Sequence, residues 1–220
     1  MLPASAGLGV HLIRKDCCVI VTTVCLVRHG ETEWNFTRRY QGWEDIPLNE
    51  TGEEQARVVA MAIASEQWDA IVASPLSRAF HTARAIAEAS AMLDPDAIAT
   101  DIDLRERGYG AAEGLTAEER MARWPENDWP GLEDYDLMAD RAMAALGRVV
   151  ERHAGKRVLV VCHGGLINAV LARISNGEVG TGKTVILNTA RSFLTHADGT
   201  WSIDVVTDAS HLELEAALEH

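Results

Sequence analysis

An α/β fold, with a mostly parallel central sheet layered between helices (α/β/α), is predicted by three features of the sequence. Two apolar runs rich in β-branched residues, Val24-Cys25-Leu26-Val27 and Val158-Leu159-Val160-Val161, have the length of buried strands, and both lead into glycine. Between and after them, strand-type and helix-type segments follow one another in a way that suits helices packed over a sheet. The 220 residues are 47% hydrophobic and 24% charged, which provides for one domain with a substantial core.

The first apolar run delivers Arg28-His29-Gly30, and the second delivers Cys162-His163-Gly164-Gly165. In an open α/β sheet the carboxyl ends of the strands open into the ligand crevice, so Arg28, His29 and His163 are candidates for chemistry. A single histidine at a strand end is ordinary, and His11, His81, His153, His196, His211 and His220 are read as packed or exposed residues without a role. Two strands that each end in His-Gly are a stronger signal. Arg78 and Glu106, which follow loops in between, add a second cation and a carboxylic acid.

The other elements follow in order. A polar loop runs from Asn35 to Asn49, in which Arg38 and Arg39 read as solvated. Thr51 followed by Glu54 has the spacing of a capping box, and Val58, Val59, Ala62 and Ile63 give the helix behind it an apolar stripe. Ala70 to Ala73 is a second strand, and Ser74-Pro75 reads as a cap with proline at the first helical position. Arg78 then falls in the first helical turn, where the dipole disfavours a cation unless an anion sits at the same end. Ile98 to Thr100 is expected as an edge strand. Thr116 to His153 reads as helical, broken by Trp124-Pro125 and Trp129-Pro130-Gly131, a loop expected to overhang the site as a lid. A helix over Leu166 to Ile174 follows His163-Gly164-Gly165, and Ser192–His196 and Trp201–Val206 form a hairpin around Asp198-Gly199.

Composition narrows the classes of function. A net charge of -13 argues against a nucleic-acid partner, and an anionic ligand would need a local cluster of arginines to overcome the global field. Cys25 and Cys162 lie inside core strands, and the adjacent Cys17 and Cys18 have neither metal-ligand nor redox spacing, so a reducing cytoplasm fits. No apolar segment long enough for a membrane span precedes Arg28, and no membrane partner is expected. Residues 1–20 read as an extension outside the domain, with Val21 as the expected natural start. The domain is expected over 21–208. Residues 209–220 read as a tail whose end, Ala216-Ala217-Leu218-Glu219-His220, resembles an expression-tag scar.

Gly177-Glu178-Val179-Gly180-Thr181-Gly182-Lys183-Thr184 satisfies the P-loop pattern G-x-x-x-x-G-K-[ST], which would make the chain a nucleotide hydrolase. That pattern needs a strand before it and a helix after it. Here a helix precedes and the β-rich Thr184-Val185-Ile186-Leu187 follows, so a glycine-rich turn leading into a strand is expected instead.

Five ordered segments together resemble the histidine phosphatase superfamily, which includes the cofactor-dependent phosphoglycerate mutases. They are Leu26-Val27-Arg28-His29-Gly30-Glu31-Thr32-Glu33-Trp34-Asn35; Gln41-Gly42-Trp43 with Leu48-Asn49-Glu50-Thr51-Gly52; Ala73-Ser74-Pro75-Leu76-Ser77-Arg78-Ala79; Leu104-Arg105-Glu106-Arg107-Gly108-Tyr109-Gly110; and Val161-Cys162-His163-Gly164-Gly165. The resemblance implies a phosphoglycerate mutase-like fold and a phosphatase acting on small phosphorylated metabolites. His29 would be the nucleophile, and Arg28, Arg78, His163, Asn35 and the Gly164 backbone would hold the phosphoryl group. Glu106 would serve as general acid and base, with Gln41, Gly42 and Tyr109 binding substrate. No metal and no cofactor is called for.

The same resemblance keeps a mutase primed by bisphosphoglycerate as the alternative. The position of the mutases' substrate-binding lysine is Ala117 here, their pair of adjacent arginines has no counterpart between Glu118 and His153, and the spacing from Glu106 to His163 is short for that branch. A non-catalytic phospholigand-binding module is the remaining reading. The sequence is compatible with a homo-oligomer.

Overall fold

The computed structural model describes residues 19–212. The expectations for Cys17, Cys18, His11, His220 and the segments 1–18 and 213–220 lie outside the described residues.

Six strands form one sheet in the order β3-β2-β4-β1-β5-β6, with β1 at Val21–Arg28, β2 at Ala70–Ala73, β3 at Ala99–Thr100, β4 at Arg157–Cys162, β5 at Arg191–Ala197 and β6 at Thr200–Asp208. The four strands from β3 to β1 run parallel, and the β5–β6 hairpin adds two antiparallel strands. The mostly parallel three-layer fold is therefore as expected.

Strand alternation sorts the core into two halves. Val24, Leu26, Val158 and Val160 pack with Leu146 and Val149 of α5 (Tyr135–Arg152) and with Leu166 and Val170 of α6 (Gly164–Ile174). On the opposite face Cys25, Val27, Leu159 and Val161 pack with Val59 and Ile63 of α2 (Glu50–Ile63) and with Ala83 and Ile86 of α3 (Ser77–Ala89). Burial of each such aliphatic side chain is worth about 1.5–3 kcal/mol. A four-residue helix α1 (Glu33–Phe36) and a seven-residue α4 (Ala117–Arg123) complete the helices. No helix among the described residues is long and apolar enough to cross a membrane.

Several boundaries differ from the sequence reading. Helix α2 is capped by Asn49, whose side chain accepts from the Gly52 N–H at 2.8 Å, and Thr51 lies inside the helix rather than at its cap. Asparagine is the stronger N-cap, and Gly52 must stay inside because a Cβ there would collide with the Glu31 backbone, as one on Gly30 would with the Gly52 carbonyl. Helix α3 begins at Ser77 after Leu76, so Ser74 and Pro75 lie ahead of it. Thr184 to Leu187 is irregular instead of a strand. Both edges of the adjoining β1 are already taken by β4 and β5, so no free edge remains beside it. The folded unit also runs past residue 208, since His211 is buried and its Nε2 lies 3.1 Å from Thr189 Oγ1.

Candidate active site

The parallel register of β1 and β4 sets Arg28 opposite Cys162, which carries the next residues, His29 and His163, to neighbouring strand ends. Their rings stand 5.1 Å apart, edge to face, and both are buried. His29 Nδ1 lies 2.6 Å from the Gly30 carbonyl. A carbonyl only accepts, so Nδ1 carries the proton and Nε2 keeps a free lone pair. His163 Nε2 meets Ser74 Oγ at 2.8 Å, and its Nδ1 has no partner. Burial holds both imidazoles well below the usual histidine pKa; Arg78 adds most to the effect, with Arg28 beside it. The pair is neutral at neutral pH.

Two arginines converge on the histidines. Arg78 is fully buried; its Nη1 donates to Glu44 O at 2.8 Å and its Nη2 to Gly42 O at 2.9 Å. The Gly42 carbonyl can point there because Gly42 adopts φ +56°, and a Cβ at that position would collide with Glu113. Burial pushes the Arg78 guanidinium down to about 10, which leaves it charged at neutral pH. Arg28 is pushed down by burial too, and its Nη1 donates to Ile186 O at 2.6 Å. Both guanidinium Nε atoms lack a partner. Buried, partly unsatisfied cations are costly unless an anion joins them, so this cluster is built for one.

The Glu106 carboxylate lies across from them. Its oxygens accept from the N–H groups of Arg107 (2.8 Å), Gly165 (3.0 Å) and Leu166 (3.1 Å), the last two in the first turn of α6. Arg141 clamps the turn that carries it. Nη1 of Arg141 donates to the carbonyls of Asp103 and Arg105 and Nη2 to that of Glu106, while Nε and Nη2 bind the Glu133 carboxylate. Burial raises the Glu133 carboxyl, but the hydrogen bonds from Arg141 and from the Gly108 N–H, with the charges of Arg141 and Arg105, together outweigh this and hold it below the usual range.

A cavity of about 300 Å³ is lined by Arg28, His29, Asn35, Gln41, Arg78, Glu106, Tyr109 and Gly164 among the expected residues. Asn35 Oδ1 accepts from the Thr32 N–H at 3.2 Å, which leaves its NH₂ for a ligand. His163 and Gly42 are not on the wall; one packs beside His29 and the other supports Arg78. The 124–131 loop is not on the wall either. Trp129 is buried against Tyr40 and donates from Nε1 to Tyr109 O at 2.7 Å, so the loop braces the two tyrosines instead of forming a lid. A tryptophan gains more from burial than from standing over water. Burial, with Glu106 close by, raises the Tyr109 phenol, which stays protonated.

Sequence reasoning missed Ser74, Thr82, Arg141, Asn168 and Asn188. Thr82 Oγ1 accepts from the Gly30 N–H and Asn188 Nδ2 donates to His29 O at 3.0 Å, both securing the backbone at His29 and Gly30. Asn168 was legible in principle, because it lies one turn after Gly164 on the same face of α6. Arg39 is corrected from a solvated residue to a wall residue. The P-loop match fails on context, since α6 precedes it, no helix follows, and Lys183 Nζ donates to Gly177 O at 2.6 Å.

The match to the family model named Histidine phosphatase superfamily (branch 1) spans residues 24–209. The chain belongs to the histidine phosphatase superfamily. It is 43% identical over 192 residues to the uncharacterized phosphatase PhoE of Bacillus subtilis (strain 168), covering 87% of this chain and 97% of that one. It is 38% identical over 205 residues to the metal-independent phosphoserine phosphatase of Arabidopsis thaliana, covering 87% and 84%. Among solved structures, Bacillus stearothermophilus YhfR superposes with a TM-score of 0.78 at 29% identity, over 87% of this chain and 99% of that one. Proteins named as probable phosphoglycerate mutases are among the relatives too.

Two predictions arise from this superfamily site. A Cβ on Gly165 would stand 2.5 Å from Glu106 Oε1, so Gly165→Ala is expected to displace the carboxyl and lower kcat on alkyl phosphates by about 10²-fold, the scale of an ångström's misplacement. Steady-state kinetics with an unchanged melting temperature would show it. The second concerns acid stability. His29, His163 and His211 are all depressed by burial, His211 to about 4, so the unfolded chain takes up protons below about pH 6.5 that the folded chain refuses. Stability is present above pH 6.5 and is lost as pH falls towards 4, with His211 alone accounting for up to about 3 kcal/mol. Urea denaturation at pH 7 and pH 5 should show a smaller loss for His211→Gln than for the native chain.

Proposed function

We propose that this protein is a phosphatase that hydrolyses small phosphomonoesters through a phosphohistidine on His29. The observation that carries the reading is the His29 Nδ1 contact with the Gly30 carbonyl, which fixes the tautomer with a nucleophilic Nε2, on the wall His29 shares with the buried Arg78 and the half-buried Arg28.

In the first step Nε2 attacks phosphorus in line; the N–P bond forms as the P–O ester bond breaks. Arg28, Arg78 and the Asn35 amide stabilise the charge spread over the equatorial oxygens, each such preorganised donor being worth about 3 to 4 kcal/mol, while His163 packs against His29. Glu106 gives its proton to the leaving alkoxide. It then takes a proton from water, whose oxygen bonds to phosphorus as the N–P bond breaks, releasing phosphate and neutral His29. Arg28 and Arg78 supply the positive charge, and no step is routed through a metal or organic cofactor.

Phosphatase-named relatives support hydrolysis over isomerisation. So does Ala117, which opens α4 at the surface and provides no cation for a retained phosphoglycerate. The test is phosphate release from a panel of phosphomonoesters, with 3-phosphoglycerate plus bisphosphoglycerate assayed in parallel for 2-phosphoglycerate. Release with capture of an acid-labile, alkali-stable phosphoenzyme is expected. Isomerisation with little release would make the protein a mutase.

A further inference from the structure

The cavity wall carries side chains beyond those that would hold the phosphate. Among the described residues, Arg39 is the one cation on the wall besides Arg28 and Arg78, and one of its nitrogens is already paired. Its Nη1 donates to Gly114 O at 2.6 Å and to Glu119 Oε2 at 3.0 Å, so a carboxylate of the chain neutralises it. Beside it stand the neutral, hydrogen-bonding side chains of Tyr40, Tyr109, Asn168 and Thr184, with Val185 and Ile186. The rings of Tyr40 and Tyr109 lie 4.7 Å apart, and Thr184 Oγ1, which accepts from the Gly180 N–H, keeps its own proton to donate. Asn168 Oδ1 is enclosed and has no partner. An enclosed acceptor left unpaired costs about 1–3 kcal/mol, which a ligand's hydroxyl would recover.

We propose that the substrate is the phosphate ester of an uncharged, hydroxyl-bearing alcohol, a polyol or sugar phosphate, in preference to one whose leaving group carries a carboxylate. Asn168 accepts a hydrogen bond from one of the leaving group's hydroxyls, and Glu119 denies Arg39 to a carboxylate. This inference rests on the phosphatase reading and narrows its substrates.

The experiment compares kcat/KM for glycerol 1-phosphate, 3-phosphoglycerate and phenyl phosphate. The first two share a three-carbon skeleton and differ by a hydroxymethyl against a carboxylate. Glycerol 1-phosphate should exceed 3-phosphoglycerate by about ten-fold or more, the scale of one unanswered charge. In Asn168→Leu the ratio of glycerol 1-phosphate to phenyl phosphate should fall about five-fold, the scale of one hydrogen bond. In Glu119→Gln, which keeps an acceptor for the Thr116 N–H at the start of α4, the ratio of 3-phosphoglycerate to glycerol 1-phosphate should rise several-fold. A native enzyme that prefers 3-phosphoglycerate, or ratios unmoved by both variants, overturns the inference while His29-dependent turnover of phenyl phosphate leaves the phosphatase reading standing. Absence of His29-dependent turnover on all three overturns both.

Discussion

His29→Ala is expected to lower kcat/KM on every phosphomonoester by roughly 10⁴- to 10⁶-fold, the range seen when the nucleophile of a covalent mechanism is removed. The two arginines remain in the variant, so it should still bind phosphate esters, and the loss should fall on kcat. No other nucleophile can take over, because His163 has its Nε2 engaged by Ser74 and does not line the cavity. Phosphoenzyme captured from labelled substrate should vanish with turnover. A variant that folds, by melting temperature, and keeps activity within ten-fold of the native chain would remove His29 from the nucleophilic role.

Glu106→Ala separates the two chemical steps. An alkoxide leaving group needs the proton, so alkyl phosphates should slow by about 10²- to 10⁴-fold in the first step. A phenolate leaves without much help, and there the second step suffers, because water has lost its base. Phenyl phosphate should therefore give a burst of phenol equal to the enzyme present, followed by slow turnover, visible in a rapid-quench experiment. Equal losses on alkyl and aryl substrates without a burst would take the acid role from Glu106. Arg141 offers a supporting case: it holds the Glu106 turn through three backbone carbonyls without lining the cavity, so its loss should act through Glu106's position alone.

Much of this was legible because the relevant patterns are local. A run such as Val158 to Val161 can be buried on both faces only in a covered sheet, and a glycine at its end marks where the chain turns into the crevice. Arg78, placed against the dipole of α3, betrayed an anion site before any geometry was known. The elements that failed did so where local preference met a tertiary competitor. Thr184 to Leu187 has β-type residues but adjoins β1, both of whose edges are taken. Ser74-Pro75 has cap chemistry, yet Ser74 is buried with its hydroxyl on His163. The loop at Trp129 was expected over the site because its position in the chain allowed it, whereas burial drew it behind Tyr40 and Tyr109.

The sequence by itself determined the class of sheet, the two strand ends that carry histidine, and the family to which they belong, since hydrophobic periodicity and contiguous motifs are properties of neighbouring residues. Only the tertiary structure decided which nitrogen of His29 is free, that Arg78 hangs from the carbonyls of Gly42 and Glu44, and that Arg39 is cancelled by Glu119, 80 residues away. Those are matters of distance and desolvation between groups far apart in the chain, and burial, which no residue carries in its own identity, sets their charge.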